Sequence, residues 1–130
     1  MSLSLVWRGD LNFTSGPGSP PIEMHSSTPN VISPVQTLAY ALMGCMAMDV
    51  VHILQKARHD LRALSVKFEG DRAGDHPRRY TKIHLHFDIT GDVPEEAVSR
   101  AIELSHEKYC SVSNSLRGDI DFRATYAIHS

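Results

Sequence analysis

The sequence contains only two cysteines, Cys45 and Cys110, among its 130 residues. They are too far apart to form a C-x-x-C motif, and two thiols do not make the disulfide scaffold of a small secreted protein. No charged segment followed by an apolar run opens the chain, so we expect no secretory signal. These features together predict a cytoplasmic protein whose cysteines are reduced.

Clusters of basic residues are also missing from the sequence. The formal net charge is -2 at pH 7, and the charged side chains are scattered along the chain. Nucleic acids and anionic membranes are bound by concentrated positive charge, so we expect neither of them as a partner.

The sequence has no glycine-rich phosphate loop, no G-x-S-x-G motif and no H-E-x-x-H motif. It does contain eight histidines, and His84 and His86 fall on one face of a predicted strand with Asp88 beyond them. Structural zinc sites take about four protein ligands and catalytic sites about three, whereas this face offers a pair of imidazoles. We therefore expect no metal site there.

A chain of 130 residues predicts a single domain, residues 1–130. Its longest apolar segment predicts a helix from Pro34 to Arg58, with Ser33 as the N-cap and Pro34 as the first helical residue. Because this helix is apolar on nearly every side, we expect it to be buried on most sides. Asp49 in its middle argues against a membrane span, since a lone carboxylate is costly inside a bilayer.

Alternation of apolar and polar residues predicts the strands. They cover residues 2–13 (with a turn or bulge expected at 9–10), 22–25, 64–69, 80–90 and 120–129. Segments 64–69 and 80–90 are expected to pair as an antiparallel hairpin around a charged loop that starts at Gly70. A second helix is predicted from Pro94 to about Cys110, with an apolar stripe that includes Ser105 and Tyr109. The fold class that follows is α+β.

The residues around Cys45 leave its role open. A cysteine on a methionine-rich, buried helix is most often a small, inert apolar residue. Cys45 lies mid-helix, so a reactive thiolate there would need a cation or hydrogen-bond donors from elsewhere in the fold. Asp49, one turn further on the same face, either holds a cation near the thiol or only fixes the packing. Cys110 is at a predicted helix end, where a side chain can move.

Three segments of the chain resemble the OsmC/Ohr family of stress-induced thiol peroxidases and their relatives. They are SPVQTLAYALMGCMAMDVVHIL, HPRRYTKIHLHFDITG and AIELSHEKYCSVSNSL. The first and third each hold a cysteine in the context of the short OsmC-like branch, GC-x-x-x-DVV-x-IL and LS-x-EKYCSVS. The resemblance covers the chain from Trp7 to its end.

The resemblance implies an OsmC-like fold, in which strands wrap around a long, buried central helix and two chains form an intertwined homodimer. It implies that Cys45 attacks an organic hydroperoxide and becomes a sulfenic acid, with which Cys110 condenses to a disulfide. A small dithiol such as dihydrolipoamide would then reduce that disulfide. No metal, flavin or haem cofactor is implied. The function that follows is thiol-dependent reduction of organic hydroperoxides in oxidative stress defence.

One position departs from the peroxidase branches of the family, which carry a Glu directly after the proline that opens the central helix. In those branches the Glu holds an Arg near the thiol, whereas this chain has Val35 at that position. The Arg comes from an N-terminal strand, and Arg8 is the candidate here. Asp49, Glu107 or Gln36 is expected to replace the missing Glu, unless this branch has lost efficient peroxide turnover.

Three functions therefore remain open. The first is a hydroperoxide reductase, and the second is a redox sensor or small-molecule-binding protein without efficient peroxidase turnover. The third is a structural dimer with inert cysteines. Peroxide-dependent disulfide formation separates the first two from the third, and turnover with a lipoyl reductant separates the first from the second.

Overall fold

A computed structural model describes residues 1–130 and confirms the predicted α+β class. The elements in chain order are β1 (Leu5–Trp7), β2 (Asn12–Ser15), β3 (Glu23–His25), α1 (Pro34–Lys56), β4 (Asp60–Arg72), β5 (Tyr80–Asp92), α2 (Glu95–Leu104), a π-helical turn (Ser105–Tyr109), a 3-10 turn (Ser113–Ser115) and β6 (Asp121–His129). Met1–Tyr40 forms one compact unit and Ala41–Ser130 forms another. The single domain stays a prediction.

The first unit contains a three-stranded antiparallel sheet in the order β1-β2-β3. The strand predicted at residues 2–13 is divided into β1 and β2, which pair with each other. The reason is the turn at Gly9 and Asp10, whose φ angles of 108° and 44° reverse the chain. The backbone N–H of Asn12 closes this turn by donating to the Gly9 carbonyl at 2.9 Å. The short strand predicted at residues 22–25 is confirmed as β3.

Helix α1 begins with a reciprocal pair of hydrogen bonds between Ser33 and Gln36. The backbone N–H of Gln36 donates to Ser33 Oγ at 3.2 Å, and the backbone N–H of Ser33 donates to Gln36 Oε1 at 3.0 Å. This is a capping box, which satisfies donors that the first helical turn leaves free. The predicted N-cap and start of α1 are confirmed.

The second unit contains a sheet in the order β4-β5-β6. Strands β4 and β5 form the predicted antiparallel hairpin, paired from Asp60↔Asp92 to Arg72↔Tyr80. The hairpin extends into the segment that was expected to be loop from Gly70, because residues of that segment find hydrogen-bonding partners on β5. Strand β6 lies parallel to β5, an arrangement that needs a crossover, and α2 lies in that connection.

The core of the second unit lies between one face of this sheet and the two helices. Its fully buried residues include Leu42, Met46, Val50 and Leu54 from α1, Ile83, Leu85, Phe87 and Ile89 from β5, and Val98 and Ala101 from α2. The predicted alternation of β5 is therefore confirmed. The buried residues of α1 recur about every four positions and so lie on one face of the helix. The rest of the second unit covers that face, whereas Met48 on another face is 73% exposed.

Helix α1 is long and apolar enough to cross a membrane by length and composition alone. Core helices of soluble proteins have the same property, and residues of α1 belong to the buried core just described. Burial of α1 on its remaining sides stays a prediction about the homodimer.

Candidate thiol site

Helix α1 places Cys45 and Asp49 one turn apart on the same face, as their spacing predicts. Both side chains are half-buried. Cys110, far away in sequence, reaches the same place in the second unit. The Sγ atoms of Cys45 and Cys110 and a carboxylate oxygen of Asp49 all lie within 4.8 Å of one another. The structure thus brings together the two predicted catalytic cysteines and the predicted supporting carboxylate.

A π-helical turn determines which residue reaches this site. The backbone N–H of Cys110 donates to the Ser105 carbonyl at 2.7 Å, a bond across five residues instead of four. The predicted regular helix would have placed Tyr109 on the buried stripe, and this expectation is wrong, since Tyr109 is 51% exposed. The additional residue in the turn moves Cys110 into the buried position, where it is 0% exposed.

The segment after the π-helical turn fixes the Cys110 residue. The backbone N–H of Ser113 donates to Cys110 Sγ at 3.3 Å. Asn114 donates from Nδ2 to the Cys110 carbonyl at 2.8 Å. Cys110 lies at the end of the helical segment, as predicted, with its side chain fully enclosed and its backbone hydrogen-bonded on both sides. Movement of its side chain stays a prediction.

Burial raises the pKa of the Cys110 thiol above its ordinary value. The hydrogen bond from the Ser113 N–H opposes this rise, and the hydrogen bond with Cys45 adds to it. Cys110 therefore keeps its proton more firmly than an exposed cysteine. Of the two thiols, Cys45 is the one that is partly accessible from solvent.

Ser105 contacts the site in a way that the sequence analysis did not find. Its hydroxyl donates to Asp49 Oδ2 at 2.8 Å. Ser105 is 0% exposed and is the only buried polar residue of the chain. The one signal in the sequence is a hydroxyl in the apolar stripe of the predicted second helix, at a position that should be buried. A buried hydroxyl needs a partner, and Asp49 supplies it.

None of the ion pairs in the chain includes Asp49. His52 and Lys56 line a surface pocket together with Asp49 but form no ion pair with it. The carboxylate thus stands beside two thiols with a hydroxyl as its hydrogen-bonding partner and no paired cation within the chain.

A cavity of about 340 Å³ adjoins the turn that holds Cys110. Its apolar lining consists of Leu42, Ile83, Leu116, Ile120 and Phe122, and its polar lining includes His106, Glu107, Ser113, Asn114 and Arg117. Ser113 and Asn114 connect it to the thiol site, since both also hydrogen-bond to Cys110. Ala41 and Met48, which flank Cys45 on α1, are exposed and do not line this cavity.

The imidazole of His106 stacks on the ring of Phe122, with centroids 4.0 Å apart and planes inclined by 5°. Burial lowers the pKa of His106 below 6.5, and the neighbouring Glu107 carboxylate opposes that shift. The ring therefore takes up a proton less readily than an exposed imidazole, and it forms part of the cavity wall.

The other predicted residues have local partners. His84 Nε2 and His86 Nδ1 each lie 2.7 Å from the Thr125 hydroxyl on the outer face of the sheet. Arg8 Nε donates to Thr14 Oγ1 at 2.9 Å within the first unit. Gln36, also in the first unit, caps α1. The supporting roles of Arg8 and Gln36 at the thiol site stay predictions.

The chain matches the family model described as OsmC-like protein over residues 27–125. It is 43% identical over 97 residues to Protein YhfA of Escherichia coli strain K12, a match that covers 74% of this chain and 72% of the relative.

Two solved structures share the fold over nearly their whole length. One is an OsmC-like protein from Mycoplasma pneumoniae, at 15% identity and a TM-score of 0.86, with 99% of this chain and 96% of that chain covered. The other is an organic hydroperoxide resistance protein OsmC from Legionella pneumophila, at 18% identity and a TM-score of 0.74, with 98% and 97% covered. At these identities the likeness concerns the fold alone.

Proposed function

We propose, from the premise that this chain belongs to the OsmC-like protein family, that it reduces organic hydroperoxides with the thiols of Cys45 and Cys110. The observation that carries the proposal is the approach of the two Sγ atoms to within 4.8 Å in the folded chain. An S–S bond is about 2.05 Å long, so the two sulfur atoms have to approach each other by at most about 2.8 Å for the disulfide to form. The organic hydroperoxide resistance protein of the same fold supports this choice of substrate class.

The reaction has three steps, each balanced in electrons. The Cys45 thiolate attacks an oxygen of the hydroperoxide, the O–O bond breaks, and the alcohol leaves after taking up a proton, with Cys45 left as a sulfenic acid. The Cys110 thiolate then attacks the sulfenic sulfur, the S–O bond breaks, and water leaves as the disulfide forms. A small dithiol, such as a lipoyl group, returns two electrons by exchange and becomes a disulfide itself.

The environments of the two thiols favour this order of events. A peroxide must reach the attacking sulfur, and Cys45 is partly exposed whereas Cys110 is fully enclosed. Burial raises the pKa of the Cys110 thiol, which makes this cysteine less ready to ionise and attack the peroxide. The exposure of Cys45 and the raised pKa of Cys110 thus favour Cys45 as the thiol that attacks the peroxide and Cys110 as the thiol that forms the disulfide afterwards.

The cavity beside the Cys110 turn supports an organic rather than a purely polar substrate. Five apolar side chains line it, and its volume of about 340 Å³ accommodates an alkyl or aryl group. Each buried CH₂ stabilises the complex by about 0.8 kcal/mol, a gain that hydrogen peroxide lacks. We therefore expect organic hydroperoxides to be preferred.

One specific observation favours a second candidate, a redox sensor that forms the disulfide without fast turnover. The Asp49 carboxylate lies beside both thiols, and none of the ion pairs in the chain supplies a cation there. The family's Glu is replaced by Val35, so a cation such as Arg8 would have to be held in another way. Slow attack on peroxide is the expected consequence, and turnover with a lipoyl reductant distinguishes the two candidates.

We further propose a cytoplasmic homodimer whose interface includes α1. The support is the exposed apolar side of this helix, on which Met48 is 73% accessible in the single chain. Obligate interfaces of this kind bury more than about 2,000 Å² and are rich in apolar side chains. In the cytoplasm the reducing environment would keep both thiols available for oxidation.

The decisive experiment counts thiols anaerobically before and after one equivalent of cumene hydroperoxide, with hydrogen peroxide as the comparison. We expect two thiols per chain to be lost with the organic peroxide, and a slower loss with hydrogen peroxide. Cys45→Ser should abolish peroxide consumption. Cys110→Ser should allow one turnover and leave a sulfenic acid that dimedone traps.

Ser111→Ala, next to Cys110 on the exposed side of the turn, is the matched control and should behave as the wild-type protein. The proposal fails if the thiols survive the peroxide. The assignment of roles is reversed if Cys110→Ser blocks the first oxidation while Cys45→Ser does not.

A further inference from the structure

Three potential metal ligands converge in the second unit. The Sγ atoms of Cys45 and Cys110 and a carboxylate oxygen of Asp49 are mutually within 4.8 Å. In a tetrahedral zinc site with metal–ligand distances of about 2.0–2.3 Å, ligand atoms stand roughly 3.3–3.8 Å apart. From separations of at most 4.8 Å, the three atoms would have to approach one another by no more than about 1.5 Å to reach that arrangement.

The positions of these three ligands are fixed by the fold. Cys45 and Asp49 project from successive turns of α1, and the π-helical turn brings Cys110 opposite them. The Ser105 hydroxyl donates to Asp49 Oδ2 at 2.8 Å and leaves the other carboxylate oxygen free of hydrogen bonds to side chains. Metal-binding side chains are typically oriented by hydrogen bonds of this kind.

The charges of the site also favour a cation. With both thiols ionised, the cluster carries three negative charges, and none of the ion pairs in the chain includes Asp49. Thiolate ligands select soft or borderline ions such as Zn²⁺ over Mg²⁺ and Ca²⁺, which prefer oxygen ligands.

We propose that Cys45, Asp49 and Cys110 bind one thiophilic divalent cation of the Zn²⁺ class per chain, through two sulfurs and one carboxylate oxygen, with water in the fourth position. Binding displaces the thiol protons into water. Ser105 acts as a positioning residue that orients the carboxylate. The site does not depend on peroxide turnover, because it needs only the reduced thiol pair.

Metal binding and disulfide formation exclude each other, since both use the same two sulfurs. When a hydroperoxide oxidises the loaded site, two electrons pass from the two thiolates to the peroxide, and two hydrogen ions are taken up from the buffer. The products are the disulfide, one alcohol, one water and the released cation. The bound ion is thus retained by the reduced chain and released by oxidation.

The test begins with full-length, reduced protein under anaerobic conditions. Zn²⁺ is titrated in competition with a chromophoric chelator, and Co²⁺ is used as a spectroscopic probe. We expect one ion per chain, a thiolate-to-cobalt charge-transfer band and the strong visible bands of tetrahedral Co²⁺. Bound Zn²⁺ should also protect both cysteines from alkylation, measured by mass spectrometry in the wild-type chain.

Variants assign the ligands. Cys45→Ser and Asp49→Asn should each weaken Zn²⁺ binding by more than about tenfold, and Ser105→Ala by roughly tenfold to a hundredfold. The matched control is the double variant His84→Gln and His86→Gln, which removes the pair of imidazoles on the outer face of the sheet. It should bind Zn²⁺ with the affinity of the wild-type chain. Circular dichroism verifies that each variant is folded.

Oxidising the wild-type chain to the disulfide should abolish binding, and reduction should restore it. The proposal is overturned if Zn²⁺ binds equally well to the disulfide form, if only the histidine variant loses binding, or if Asp49→Asn binds with unchanged affinity. A failure of peroxide turnover alone leaves this binding experiment unaffected, so the two proposals are tested separately.

Discussion

The backbone N–H of Cys110 donates to the carbonyl oxygen of Ser105 at 2.7 Å, across five residues instead of four. Because of this single wider turn, Ser105 and Cys110 both face α1. The Ser105 hydroxyl reaches Asp49 at 2.8 Å, and Cys110 Sγ lies within 4.8 Å of Cys45 Sγ. A regular α-helix would have placed Tyr109 where Cys110 now lies, and the thiol pair would not have formed.

Replacement of Ser105 tests how much the Asp49–Ser105 hydrogen bond stabilises the chain. In Ser105→Ala the half-buried carboxylate loses its side-chain donor, and an unsatisfied group of this kind costs about 1–3 kcal/mol. We expect the free energy of unfolding in urea to fall by an amount in that range. Ser111→Ala removes an exposed hydroxyl from the same segment and should change it by less than about 0.5 kcal/mol. If the two substitutions change the free energy of unfolding equally, the Asp49–Ser105 hydrogen bond does not stabilise the chain.

The raised pKa of Cys110 predicts the pH dependence of disulfide formation. Only the thiolate attacks the sulfenic acid, so below the pKa the rate should rise about tenfold per pH unit. Because burial shifts this pKa upward from 9.0, the rate should still be rising at pH 9. The measurement is rapid quenching with an alkylating agent after one equivalent of peroxide, followed by mass spectrometry. A plateau below pH 8 would contradict the protonated, enclosed Cys110.

The lowered pKa of His106 predicts a loss of stability in mild acid. The unfolded chain protonates this histidine near pH 6.5, whereas the folded chain, in which the ring stacks on Phe122, does so only at lower pH. As the pH falls below 6.5, the unfolded state binds the proton first, so the free energy of unfolding decreases until the folded pKa is reached. The measurement is urea denaturation at several pH values.

His106→Phe keeps an aromatic ring against Phe122 but cannot titrate, so it should flatten this part of the pH profile. His76→Gln, on an exposed loop, serves as the control and should leave the profile as it is. If the flattening occurs in the control and not in His106→Phe, another group is responsible for the acid sensitivity.

The exposed side of α1 predicts that a charge at Met48 disrupts the proposed homodimer. A carboxylate buried without a partner in an apolar interface costs several kcal/mol, so Met48→Glu should sediment as a monomer at micromolar concentration. The wild-type chain should sediment as a dimer under the same conditions. Ser65→Glu introduces the same charge at an exposed position of β4 and should remain dimeric. A monomeric wild-type chain would refute the prediction outright.

Local sequence determined the elements whose causes are local. The start of α1 follows from Ser33, Pro34 and the capping glutamine, and the buried face of β5 follows from its strict alternation. Cys45 and Asp49 share a face because four residues make about one helical turn. The family resemblance then supplied the pairing of Cys45 with Cys110, which no local pattern contains.

Tertiary structure decided what depends on partners distant in sequence. Strand β4 continues past Gly70 because β5 offers hydrogen bonds there, although glycine and charged residues favour a loop. The π-helical turn adds one residue to a helix whose apolar spacing gives no sign of it, and so Cys110 is buried in place of Tyr109. Ser105 and Asp49 become partners only when the π-helical turn after α2 packs on α1, because the buried Ser105 hydroxyl needs a hydrogen-bonding partner once water is excluded.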